Sequence, residues 1–494
     1  MSTLSAEIPK LSAAKLELLA RRLREKQRRA EYAPPISRRD PSITRPPLSF
    51  AQQRLWFLQQ LEPNNAAYNI PLSVRLRGAL NIAVLKRALS EVVRRHEILR
   101  TAFEDIDGQP VQIISPPHPV GFPVVDLSEL SEQAQSEQLA RHRRREVETQ
   151  FDLAVGPLWR AKLLRVAPEE HIALFTMHHA ISDAWSMSVL VEELGRLYEA
   201  FAADRPSPLE ELPVQYADYA IWQREWLQGE VLQAQLDYWR GQLTDAPAEL
   251  QLPTDRLAAP KDTTPGATHD FTIPPEVSAG LTELCRSEEA TLFMLMLAAF
   301  GSLLSRYSGQ ENILIGTVIA GRHRLELERL IGFFVNTLVM RVDLDGNPKF
   351  RELLRRVRQK TLAAYAHQDV PFEKLVSELQ PGRSPSHNPF FNTLLVIQNS
   401  PRSEWNVEGL QIEGLASDMV AAKFDLTLVV TEVDTHIAAT FVYSTDLFDR
   451  STIAGMAERL QQILRDATGA ENTAVATTGS SAEQLVNAFN ANLE

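Results

Sequence analysis

Residues 171–177, HIALFTM, form an almost wholly apolar run with no polar alternation. A strand covered on one face alternates apolar and polar side chains, so a run without alternation predicts a central strand buried on both faces. LWRAKLLRV, just before it, reads as a second strand joined to the first by the short turn APEE. SVLVEELGRLYEAFAAD, after Trp185, reads as a helix with Leu190, Leu194, Leu197 and Phe201 on its buried side. Between strand and helix stands MHHAISDAWS, residues 177–186. His178, His179 and Asp183 are thereby placed where a buried strand gives way to a helix N-terminus.

The rest of the chain has the same mixed α/β character, and its 494 residues suit two or three domains. SVRLRG reads as a strand. LNIAVLKRALSEVVRRHEILR reads as an amphipathic helix with Leu85, Leu89, Val92, His96 and Leu99 on one face, where His96 is expected to be a hydrogen-bonded core residue. The charge run RHRRREVE (141–148) is expected to be a solvated helix face. RPSPLEELP (205–213) and LPTDRLAAPKDTTPG (252–266) break the pattern. Beyond them HDFTIPP, NILIGTVIA, FNTLLVIQN, FDLTLVV and HIAATFVYS read as strands, and TLFMLMLAAFGSLLSRYSG and RELLRRVRQKTLAAYAHQ as helices. This recurrence suggests a pseudo-duplicated chain, although the second half holds no second HH…D group. The expected division is a helical appendage over 1–33, able to dock a partner, and a proline-rich linker over 34–47. A histidine-bearing lobe over 48–213, a second lobe over 214–465 and a downstream linker over 466–494 follow.

Charge narrows the partners. With 51 basic and 63 acidic residues the net charge is -12, which argues against nucleic acid. Cys285 is the only cysteine, so neither a disulfide framework nor a cysteine metal site is available, and a reducing, cytoplasmic setting fits. The start, MSTLSAEIPK, lacks the layout of a secretory signal. The longest apolar run, LFMLMLAAF, falls short of the ~20 residues that span a bilayer, and no membrane association is expected.

The HH…D group admits three readings. Adjacent histidines on a loop cannot easily face one metal ion, and the segment lacks the i, i+4 spacing of zinc sites and that of a two-histidine, one-carboxylate iron site. As structure, one histidine would plug the strand end and Asp183 would cap the helix. As chemistry, a histidine beyond the end of a central strand is rigidly held and open to a cleft. The helix dipole there disfavours imidazolium and keeps a neutral base available for a hydroxyl, thiol or amine attacking an acyl carbonyl. An α-amine, with a pKa near ~8, is already partly neutral at cytosolic pH.

HHxxxDxxS over 178–186 resembles the signature of the condensation domains of nonribosomal peptide synthetases. LSFAQQRLWFLQQL (48–61), RRHEILRTAF (94–103), YADYAIWQREWL (216–227), IGFFVNTLVMR (331–341), HQDVPFEKLV (367–376) and GRSPSHNPFFN (382–392) are similar to the family's other motifs, in order. The likeness runs from about 48 to 465. It is more specific than HHxxxD alone, which chloramphenicol acetyltransferase-like enzymes share.

The resemblance implies an α/β fold with mixed sheets: two chloramphenicol-acetyltransferase-like lobes forming a V-shaped, monomeric pseudodimer around a central tunnel. Donor and acceptor peptidyl carrier proteins would approach from opposite faces with substrates on phosphopantetheine arms, no cofactor being bound by the domain itself, and an adenylation domain would follow. An acyl or peptidyl thioester would meet an aminoacyl amine and give an amide. The likeness makes His179 the active-site base or positioner of the amine, gives His178 a supporting role, and pairs Asp183 with Arg322 of VIAGR. Arg100 would line the tunnel, while Trp56, Trp222 and Phe334 would pack the core.

Two positions depart from the family. Ala184 stands where the family has glycine. A positive φ there would cost alanine about 1 kcal/mol; otherwise its methyl would narrow the tunnel, while its N–H could still meet an oxyanion. His387 replaces an arginine of the seventh motif. The subtype implied by LSFAQQRLWFL, PNNAAYNIP and HHAISDAWS is the one joining L-configured donors and acceptors. Alternatives are a starter domain that N-acylates a first amino acid, suggested by the initiating Met1, a non-catalytic recruitment module, and a free-standing acyltransferase. Epimerisation fits the first and fifth motifs poorly, and the aspartates of the heterocyclising branch are absent.

Overall fold

The computed structural model describes residues 33–63, 65–245, 250–256, 265–379, 389–398, 409–415 and 422–469. The expected helix over 11–29, His387 and the tail from 470 lie outside them.

Strand Glu170–His178, which contains HIALFTM, is the middle strand of a five-stranded sheet. It runs antiparallel to Asn69–Gly78 on one side and to Trp159–Ala167 on the other. Alternation of side chains sends successive residues to opposite faces. Phe175 and Met177 enter a large core with helices Ile82–Arg95 and Ala184–Ala202, whereas Ile172 and Leu174 join Leu127 and Leu164 in a smaller one. Helix Glu132–Glu148 packs over that second face. Burial on both sides is why the sequence shows no alternation.

A second sheet has six strands in the order Gly266–Ile273, His436–Ser444, Leu426–Val433, Thr393–Gln398, Asn312–Ile319, Asn336–Asp343. Helix Leu292–Ser308 lies in its core, every residue from Met294 to Leu304 being buried. Thr291 caps its N-terminus, and Gly309 closes it with φ 71°, in the left-handed region that favours glycine. Among the described residues no single helix is long and apolar enough to cross a membrane.

Several expectations are corrected. The division at 213/214 does not separate two cores, because Tyr216, Tyr219, Trp222, Leu327, Leu330, Ile331 and Phe334 belong to the first one. Strand Leu410–Gly414 pairs with Asn69–Gly78 in the first sheet, although the strands before and after it lie in the second. The segment 34–47 is no loose linker: Ile36 is buried, and Arg39 bridges Glu97 and Asp218 at 2.8 Å each. His96 sits past the end of helix Ile82–Arg95 rather than on its face. In the charge run, Glu146 turns inward to Arg160 and Lys162, at 2.8 and 2.9 Å.

Gly316, in strand Asn312–Ile319, accommodates the Phe391 ring, since a Cβ there would lie 2.1 Å from a ring carbon. Gly316→Ala is expected to cost about 1–3 kcal/mol through overpacking. Chemical denaturation with an unchanged midpoint would show that the ring can move aside freely.

Candidate active site

Strand Glu170–His178 ends at a turn of 3₁₀ helix, His179–Ile181, followed by Ser182 and Asp183 as N-cap of helix Ala184–Ala202. The Asp183 carboxylate is fully buried. Its Oδ1 accepts from the Ser186 N–H at 2.8 Å, the Ser186 hydroxyl at 2.7 Å and Arg322 Nη2 at 3.1 Å. Oδ2 accepts from the Phe334 N–H at 3.1 Å. The expected pair with Arg322 is therefore present and sealed from water, with 1% and 0% of the two side chains exposed. Arg322 also donates through Nη1 to the Leu327 and Leu330 carbonyls, at 2.6 Å each, and its guanidinium lies 4.1 Å from the Phe334 ring centroid. Burial lowers its pKa, and Asp183 works in the opposite direction.

Ser186, for which the sequence offered no role, is the hub. Its oxygen accepts from Arg322 Nη2 at 2.7 Å and from the Gly332 N–H at 3.0 Å. Its single proton serves either Asp183 or the Gly332 carbonyl, 2.8 Å away. Gly332 can sit here because it has no side chain: a Cβ would lie 2.0 Å from the Tyr216 ring. The Tyr216 hydroxyl donates to the Phe333 carbonyl at 2.7 Å. The segment 331–334 is thus fastened down, and it brings the Phe333 ring to 4.7 Å from that of His179.

The two histidines divide their duties. His178 is buried, and its Nδ1 accepts from the Ala180 N–H at 3.1 Å. That bond ties the ring to the turn; burial, then His179 and Lys423, push its pKa down to about 3. His179 donates its backbone N–H to the Tyr68 carbonyl at 2.8 Å. Its Nδ1 is enclosed, while the residue as a whole is half-buried. Burial lowers its pKa most; Lys423 adds to this, while Asp183 and the carbonyls of His179 and Ser182 oppose it. The helix N-terminus whose dipole was expected to keep this ring neutral carries the Asp183 carboxylate as its cap.

Ala184 is exposed between buried Asp183 and Ser186, and its φ lies outside the left-handed region, so alanine costs no backbone strain. Arg100 is not brought to His179: its polar contacts are to the Ser115 carbonyl and, at 3.8 Å, to Glu97. Sequence reasoning also missed Gln52, fully buried, which donates to the Ala180 carbonyl at 3.1 Å and shares a capping box with Ser49. The S-x-x-Q spacing of that box is a readable signal. Lys423 and Phe333 carried none. Among the described residues no group of histidine, cysteine or carboxylate side chains could hold a metal ion.

Asp183→Ala is expected to cost about 3–5 kcal/mol, because it leaves the Arg322 guanidinium buried and unpaired. Arg322→Met alone should cost a similar amount, and the double variant less than the sum of the two. Strict additivity in denaturation midpoints would mean that the pair is not coupled.

Comparison with known proteins accords with this geometry. The Condensation domain family model matches residues 43–485. The chain is 48% identical over 420 residues to a linear gramicidin synthase of Brevibacillus parabrevis, covering 85% of this chain and 5% of that protein. It is 40% identical over 449 residues to the dimodular nonribosomal peptide synthase of Bacillus subtilis (strain 168), covering 89% of this chain and 19% of that one. The chain therefore spans a small fraction of these relatives' length. Among solved structures, the X-domain from teicoplanin biosynthesis, also solved in complex with OxyB, superposes with a TM-score of 0.80 at 29% identity, over 90% of this chain and 99% of that one. With its mixed sheets, its HH…D turn and this match along most of its length, the chain belongs to the condensation domain family.

Proposed function

We propose that this domain forms amide bonds by passing a carrier-bound acyl or peptidyl group from its thioester to the α-amine of a carrier-bound aminoacyl thioester. The observation that carries the reading is His179 itself, an imidazole kept uncharged by its surroundings, with Nδ1 enclosed and part of its surface open. Nε2 is then the nitrogen left for substrate. The amine nitrogen attacks the thioester carbonyl carbon, and the carbonyl π pair moves to oxygen. As the nitrogen becomes cationic, Nε2 takes its proton. Collapse expels the pantetheine thiolate, which receives that proton, leaving amide and thiol and returning the imidazole to its starting state. The exposed Ala184, at the first position of the helix, leaves a backbone N–H as a candidate donor to the transient oxyanion.

Peptidyl carrier domains on both sides and a following adenylation domain are the partners this reading requires; a cytoplasmic setting and two lobes around a through-passage belong to it as well. We assign the subtype that joins L-configured donor and acceptor, which a matched pair of L- and D-configured donors tests. Product from an acyl-CoA donor alone would instead make this a starter domain. The likeness to an X-domain solved in complex with another protein gives the recruitment reading its one support.

His179→Ala should lower the rate of amide formation by roughly 10²–10⁴-fold, the usual contribution of a positioned base. An unchanged rate would favour recruitment. Since the native pKa of His179 lies below the ordinary value of about 6.5, the neutral base persists as pH falls through that value. The substrate amine alone should then limit the single-turnover rate, which falls in inverse first order in protons from about pH 7.5 down to about pH 6. Steepening to second order near about 6.5 would mean that His179 titrates there.

A further inference from the structure

His96 is fully enclosed, and the roles of its two nitrogens follow from their partners. Its Nδ1 accepts from the Ile331 N–H at 3.3 Å, so the ring proton is on Nε2, which donates to Glu193 Oε2 at 3.0 Å. Arg95 grips the same carboxylate through Nη2 and Nε, at 3.0 and 3.2 Å. Burial pushes the Glu193 carboxyl up, but the hydrogen bonds from His96 and Arg95, with the Arg95 charge, outweigh it and hold it down. The anion therefore persists and fixes which His96 nitrogen keeps the proton.

These contacts have a direction. Glu193 stands ten residues beyond Asp183, on the helix that Asp183 caps, about 15 Å along its axis. That helix grips the segment 331–334 twice. At its N-terminus Asp183 and Ser186 hold Phe334 and Gly332 directly; farther along, Glu193 holds Ile331 through His96. Phe333, between these anchors, faces His179. Gly332, packed against Tyr216, is the single residue between Ile331 and Phe333, so the Ile331 anchor lies two residues from the aromatic wall of the imidazole.

We propose that His96 is a positioning residue for the reacting imidazole: by accepting the Ile331 N–H it sets the segment that carries Phe333 onto His179. This rests on His179 being the reacting group.

Two isosteric substitutions separate the proposal from a general packing role. In His96→Asn the amide oxygen replaces Nδ1 and keeps the acceptor for Ile331, losing Glu193. In His96→Gln the amide nitrogen replaces Nε2 and keeps the donor to Glu193, losing Ile331. In the condensation assay with loaded carriers, the asparagine variant should keep kcat within about threefold of the parent and the glutamine variant should lose roughly ten- to a hundredfold, the scale of a small misplacement at a reacting group. KM for both carriers should stay put. A glutamine variant as active as the asparagine one, or a loss confined to KM, overturns the proposal.

Phe333→Leu should itself lower kcat, and combined with His96→Gln should lower it less than the product of the separate losses. An unchanged kcat for Phe333→Leu, which needs no His96 variant to fold, also overturns it, as does a multiplicative double variant. His179→Ala run alongside distinguishes the failures. Activity there sinks the reading of the site, whereas inactivity there with an active His96→Gln sinks only the role of His96.

Discussion

A carboxylate without water must have its charge and lone pairs met by the protein, and Asp183 is such a group. Its donors come from its own helix, from Arg322 and from the backbone of Phe334, 139 and 151 residues further on. Removing two ions from water costs several kcal/mol each unless geometry and hydrogen bonding compensate. The fold between Ser186 and Arg322 must therefore bring VIAGR and IGFFVN back to the start of helix Ala184–Ala202. That requirement draws 327–334 into the first core, whereas the strands on either side, Asn312–Ile319 and Asn336–Asp343, build the second sheet.

The adjacency of the two histidines has a simple origin. Strand side chains alternate, and His178 falls on the face of Ile172 and Leu174, the smaller core, near the rings of Tyr68 and Phe151. The chain then leaves the strand, so the next residue, held by Tyr68 through its backbone, turns to Phe333 instead. Of the adjacent pair, one ring supports the turn and the other is the reacting group of the proposed chemistry. Burial and then the nearby Lys423 lower the pKa of His179, while the carboxylate that anchors the site opposes them and caps the adjacent helix end.

What the sequence disclosed was local. HIALFTM announced its two-sided burial through missing alternation; TLFMLMLAAFGSLLSRYSG announced a helix buried all round, with threonine and glycine at its ends; Asp183 stood where an N-cap belongs. What it hid was long-range. No periodicity links Asp183 to Arg322, a pairing reached only through likeness to a family. Strand Leu410–Gly414 is five residues of ordinary composition, and pairing into the other sheet depends on backbone edges that side chains do not advertise. His96 was expected on a helix face because the apolar spacing continued past it. The helix nevertheless stops at Arg95, and His96 takes up the bonds to Glu193 and Ile331. Its polar partners, rather than its period, decided its place.

Stability alone does not account for so many buried charges at one junction. An apolar pair of similar volume in place of Asp183 and Arg322 can be as stable or more so, since desolvation offsets most of the Coulomb attraction. What an apolar pair lacks is direction. Each oxygen of Asp183 and each Nη of Arg322 selects a particular N–H, hydroxyl or carbonyl at a particular angle. Through them Ser186, Gly332 and Phe334 each have one permitted place. Hydrophobic contact tolerates the sliding of one surface over another, whereas this network does not. The chemistry proposed for His179, in which an imidazole meets an amine and a carbonyl, would need that intolerance, because misplacement at the reacting atoms costs far more rate than the same displacement costs folding. The buried charges are therefore best understood as fixing geometry at the point where the two cores join.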